Sequence, residues 1–141
     1  PRVKATVPIA AGNAYELGPE GVKDISIPTM MITGALDRNC SEEANGDPYW
    51  EALNGVNDIR VQLLTAGHHT FTLTCDVFSD LGQNDNGCTD ANIDPELGQN
   101  ITAAYVLAFA WRHLDGAAGY EPLLSGATTL DESVVVYSKS P

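Results

Sequence analysis

The run Ile27–Thr33, Ile-Pro-Thr-Met-Met-Ile-Thr, constrains this chain more than any other stretch. It is an apolar segment that follows a strand-opening Pro28, and it leads into Gly34-Ala35-Leu36-Asp37. Apolar runs of strand length, without alternation, suit a parallel strand covered on both faces. A parallel sheet needs helices over it, so the run points to an α/β architecture.

The flanking sequence agrees. Val3–Ile9 places Val3, Ala5, Val7 and Ile9 against Lys4, Thr6 and Pro8, the period-two pattern of a strand. Asp58–Thr65 alternates in the same way, with Ile59, Val61 and Leu63 on one face and Arg60 and Gln62 on the other. Ser41–Asn54 has helical character, strongest over Pro48–Leu53, with Asp47 as N-cap and Pro48 in the first turn. Asp94-Pro95-Glu96 opens a second helix that runs to about Leu114. That helix is apolar on most sides, which predicts that it is largely buried. Ala10–Ser26 reads as a connector with a turn at Gly18-Pro19-Glu20-Gly21. Residues 115–141 form a C-terminal tail in which Val134–Tyr137 is compatible with an edge strand. Strands alternating with helices predict parallel strands with helices on the faces. No linker or internal repeat divides residues 1–141, which read as a single partial domain. The opening Pro1-Arg2-Val3-Lys4 enters a strand almost at once, as the middle of a larger fold would.

Charge narrows the partners. Seven Lys plus Arg against nineteen Asp plus Glu give a net charge of −12. Nucleic acid and anionic membrane are excluded as expected partners, because the phosphate-neutralising charge is missing. No apolar run is long enough to span a bilayer. Cys75 and Cys88 bracket the polar loop Asp76–Gly87, and the expectation is a disulfide between them. Such a bridge adds about 3 kcal/mol and implies an oxidising compartment, secreted or periplasmic. Cys40 is left over. No Cys/His spacing of a zinc site occurs, and the loop Asp80–Asp94 does not match EF-hand spacing, so no metal is expected.

Functional groups in open α/β sheets sit at the carboxyl ends of the strands. Asp37 follows the first strand by Gly34-Ala35-Leu36, and His68 follows the Ile59–Thr65 strand by Ala66-Gly67. A buried carboxylate beside an imidazole fixes its tautomer and stabilises the imidazolium, which is half of a nucleophile–histidine–acid site. His69 is the competing base. His113, at the end of the long helix, is read as structural. Asn13, Tyr15 and Phe71 belong near the same sheet edge and are candidates for a substrate pocket.

With Ile27-Pro28-Thr29-Met30-Met31-Ile32-Thr33-Gly34-Ala35-Leu36-Asp37 and Ala66-Gly67-His68-His69-Thr70-Phe71, the chain resembles the C-terminal half of the α/β-hydrolase family, in its dienelactone-hydrolase, polyesterase and cutinase-like branch. The resemblance covers about Val3 to Leu114. It implies a serine-type carboxylic-ester hydrolase with Asp37 as triad acid and His68 as base, acting on an ester substrate without cofactor. The family's Gly-x-Ser-x-Gly elbow does not occur here, and neither Ser41 nor Ser125 replaces it. The resemblance therefore places the nucleophile and oxyanion hole in an N-terminal half, as missing sequence or a second chain. The alternatives are a non-catalytic binding module derived from the same fold, or a peptidase or dehalogenase on the same scaffold.

Overall fold

The structure is a computed structural model that describes residues 2–77 and 86–139; the side chains of residues 13–16 lie outside the described set. Three strands, β1 (Met30–Gly34), β2 (Ile59–Leu63) and β3 (Val134–Ser138), form a mixed sheet in the order β1-β2-β3. β1 and β2 are parallel, with Met30 opposite Ile59 and Gly34 opposite Leu63. β2 and β3 are antiparallel, with Leu63 opposite Val134 and Ile59 opposite Ser138. The helices are α1 (Asn13–Lys23), α2 (Asp47–Ala52), α3 (Thr74–Val77), α4 (Pro95–Leu114) and α5 (Glu121–Leu124). The architecture is thus α/β.

The two faces of β1 explain its unbroken apolar character. Met30 and Ile32 belong to one buried cluster with Val61, Leu63, Ile101, Tyr105 and Phe109, which sets α4 against that face. Met31 belongs to a second cluster with Val22, Tyr49, Ala52 and Leu53, which sets α1 and α2 against the opposite face. Arg60, paired in register with Met31, shares this second face and is only 5% exposed. Its guanidinium is held by Glu42 and by Asp47 Oδ1 at 2.8 Å. Burying a cation is tolerated only with such pairing.

Several expectations need correction. The sheet is not wholly parallel, because β3 runs antiparallel; hydrophobicity alone does not encode strand direction. Val3–Ile9 is extended but not a full strand. Thr6 N–H donates to Pro28 O at 3.0 Å and Ile32 N–H to Pro8 O at 2.9 Å, so it lies parallel to β1. Pro8 has no N–H to donate, and pairing is reduced to isolated bridges. The Ala10–Ser26 connector contains α1, bent where Gly18 takes φ 64° before Pro19. The Gly18-Pro19 signal marks a kink inside a helical segment and not a turn between elements. Asp47 is the first residue of α2 rather than its cap; a π-helical turn over Glu42–Gly46 precedes it, and Ser41 Oγ accepts from Ala44 N at its start.

α4 begins as expected, with the Asp94 side chain accepting from Leu97 N at 3.0 Å. It is not largely buried: Leu107, Trp111 and Leu114 are exposed, and burial is confined to a face that includes Ile101, Tyr105 and Phe109. Residues 115–139 are ordered into a 3-10 turn, α5 and β3, the last matching the expected edge strand. No described helix is long and apolar enough to cross a membrane.

Candidate functional site: an aspartate–histidine pair at the strand ends

The carboxyl ends of β1 and β2 are drawn together by their own backbone. Ala35 N–H donates to Leu63 O and Leu36 N–H to Ala66 O, both at 3.0 Å. This close approach requires Gly34. A Cβ built there stands 2.4 Å from Ala66 O and 2.9 Å from Ala66 C. Asp37 closes the turn, its N–H donating to Gly34 O at 3.0 Å.

His68 Nδ1 lies 2.9 Å from Asp37 Oδ2. The carboxylate side chain is fully buried, and the imidazole is 28% exposed. The second carboxylate oxygen, Oδ1, accepts from the N–H of Asn39 and of Cys40, each at 2.8 Å. Asp37 is therefore held by its own loop and spends its remaining oxygen on His68. That is the arrangement which orients an imidazole and stabilises its charged form. His69 does not join the pair. Its ring sits edge-on to His68 with centroids 5.7 Å apart, and its backbone N–H donates to Asn86 O at 2.8 Å.

Asn86 organises both loops. Its Oδ1 accepts from Arg38 N at 3.0 Å and from His68 N at 3.1 Å, and the residue is buried. Gly67 lets this segment approach: a Cβ there stands 2.5 Å from Asn86 C and Gly87 N. Nearby, the Cys75–Cys88 disulfide is formed, with Cα atoms 5.4 Å apart. Sequence reasoning found the disulfide but not Asn86, which lies within the polar loop and carries no motif.

Cys40 is a free thiol, half-buried in the loop after Asp37. Burial, and behind it the Asp37 carboxylate, pushes its pKa up. One donor atom from each of Asp37, Cys40 and His68 lies within 4.8 Å of the others. A cavity of about 390 Å³ adjoins Asp37, lined by Leu36, Arg38, Ser41, Thr89, Ala91 and Asn92. Of the residues proposed for a pocket, Phe71 packs against the core beneath α4. The backbones of Asn13 and Tyr15 lie in α1, and their side chains fall outside the described residues. His113 packs on Phe109 with ring centroids 4.4 Å apart. Residues 78–85, part of the Asp80–Asp94 stretch compared with EF-hand spacing, also lie outside the described residues.

No protein-family profile matches the chain. One curated protein is similar: N-acetyl-gamma-glutamyl-phosphate reductase 2 of Pseudomonas putida, 42% identical over 59 residues. That match spans 42% of this chain and 18% of the reductase. It corrects the resemblance drawn from the sequence. The similar protein is a reductase and not an α/β-hydrolase, so the assignment to that family falls, and with it the serine-type ester hydrolase and its missing serine. The physical reason is that an acid after one strand and a Gly-His turn after the next are what any parallel sheet can offer at its carboxyl edge; a fold-level pattern does not fix a reaction.

Proposed function

We propose that Asp37 and His68 are the general acid–base pair of a reductase-type enzyme. The 2.9 Å contact between a fully buried carboxylate and a partly exposed imidazole carries this reading. Similarity to a protein named as a reductase of a glutamyl phosphate supports the reaction class. Reducing an acyl phosphate to an aldehyde adds a hydride to the carbonyl carbon and expels phosphate, which takes up a proton as the C–O bond breaks. His68 supplies or accepts the proton, and Asp37 sets its tautomer. General acid–base groups contribute about 10²–10⁴-fold in rate. The cavity beside Asp37 gives a substrate room. This reading assigns no hydride donor to the described residues. An oxidising, extracytoplasmic compartment is part of the proposal, supported by the disulfide.

The test is reduction of N-acetyl-γ-glutamyl phosphate with a reduced nicotinamide as hydride donor. The native protein is compared with His68→Gln and Asp37→Asn. Turnover that falls about 10²-fold or more in His68→Gln supports the pair. No reduction by the native protein removes the reaction class. Undiminished kcat in His68→Gln removes the acid–base role.

A further inference from the structure

We propose that Asp37, Cys40 and His68 form a binding site for a thiophilic divalent transition metal, with zinc as the best fit. The three side chains supply one carboxylate oxygen, one sulfur and one imidazole nitrogen, and these atoms lie within 4.8 Å of one another. Oxygen, nitrogen and sulfur are the donor types zinc takes, at about 2.0–2.2 Å for O and N and about 2.3 Å for S. At the tetrahedral angle those bond lengths put an N and an S donor about 3.5 Å apart. The oxygen–nitrogen pair, at 2.9 Å, opens by about half an ångström to the roughly 3.4 Å that the same geometry requires. With all three donor atoms within 4.8 Å of one another, the sulfur has to close by at most a little more than an ångström.

The trio is also preorganised. Asp37 Oδ1 is fixed by the N–H of Asn39 and Cys40, so the loop that bears the sulfur is tied to the carboxylate that would share the metal. Asn86 fixes the backbone of His68 from the other side. Access exists, because His68 and Cys40 are both partly exposed and a cavity opens beside Asp37. Two sequence-local ligands and one distant ligand leave a fourth position for water, the composition of an open zinc site. Calcium and magnesium do not fit, since both require oxygen ligands and the trio offers a single carboxylate.

Binding balances simply. The metal–sulfur bond forms as the Cys40 thiol proton leaves to solvent, and the metal takes the place of the proton held between Asp37 and His68 Nδ1, the neutral imidazole then carrying its proton on Nε2 by exchange with solvent. The inference goes beyond the acid–base reading and stands on the geometry of the trio alone. Where both hold, zinc is a reversible inhibitor of proton transfer at His68.

The experiment uses the purified protein with its disulfide intact and no added thiol. Cobalt(II) is titrated in as a spectroscopic probe, and zinc affinity is measured by competition with a chromophoric chelator. The expected result is a thiolate-to-cobalt charge-transfer band in the near ultraviolet that saturates at one equivalent. It is absent from Cys40→Ser, and zinc binds at least tenfold more weakly to His68→Gln. A second measurement needs no variant: alkylation of Cys40 by iodoacetamide, followed by peptide mass mapping, slows at least tenfold under saturating zinc. Absence of the band in the native protein, its persistence in Cys40→Ser, or alkylation unaffected by zinc overturns the site. None of these readouts depends on turnover, so a failed reductase assay leaves them unchanged.

Discussion

Asn86 holds His68 by its backbone: the amide oxygen accepts the His68 N–H at 3.1 Å while also accepting that of Arg38 at 3.0 Å. One buried side chain thus spans the loops that carry the acid and the base. Replacing it with alanine leaves two N–H groups without their acceptor. The expected cost in stability is roughly 1–3 kcal/mol, the range for unsatisfied buried donors. Asn86→Asp keeps an acceptor in place and is expected to recover most of the loss. Denaturant melts give the stability. The imidazole NMR signals of His68 report whether its pairing to Asp37 loosens in the alanine variant.

Gly34 is set by contact, not by backbone conformation. A Cβ there would stand 2.4 Å from the carbonyl oxygen of Ala66, a backbone atom that cannot swing aside. Gly34→Ala should cost about 1–3 kcal/mol by overpacking. It should also push the β1 and β2 ends apart, measured as weaker protection of the Leu36 N–H against hydrogen exchange. Gly116→Ala is the contrasting control. Its Cβ meets nothing within 4 Å, but its φ is 72°, so any loss there comes from backbone strain alone.

His113 makes stability depend on pH. Burial first, and the neighbouring Arg112 second, lower its pKa below the usual value of about 6.5, while Glu121 pulls the other way. The folded state then binds fewer protons than the unfolded chain between the two pKa values. Stability from this group is fully present above about pH 6.5 and declines as pH falls towards the folded-state pKa. Melting curves across that window should lose part of their pH dependence in His113→Asn. An unchanged slope removes the assignment.

The disulfide predicts a thermal effect. Reducing Cys75–Cys88, or replacing both residues by serine, should cost about 3 kcal/mol by the chain-entropy account. Cys40 is not part of the bridge, so a Cys40→Ser variant should keep the same reducible Tm shift.

The legible parts of this fold were those in which one segment carries its own pattern. β1 is apolar because Met30 and Ile32 meet α4 while Met31 meets α1 and α2, and that double burial is written in consecutive residues. The start of α4 is written in Asp94-Pro95, and the disulfide in the two cysteines that flank a polar loop. The pairing of Asp37 with His68 was legible because both follow strands that the sheet sets side by side. What stayed hidden depends on meetings between distant segments. Cys40 comes within reach of His68 only because the Asp37 loop wraps its own carboxylate, and Asn86 reaches two loops only after the chain has closed. α1 was hidden by its Gly18-Pro19 kink. The exposed row Leu107, Trp111 and Leu114 was hidden because a helix apolar on several sides does not say which side is covered. The reaction class was misread for a related reason: acid and histidine at strand ends describe a position in a sheet, which many chemistries share.

Cys75 and Cys88 also brace the site. They close the polar loop at its base, beside the segment through which Asn86 and Gly87 contact the histidine turn. The bridge thereby anchors the short stretch Asn86-Gly87, which registers the histidine turn, to the far side of that turn at Cys75. Opening the bridge should therefore be felt at the acid–base pair itself, read as a change in the His68 imidazole NMR signals, and not in stability alone.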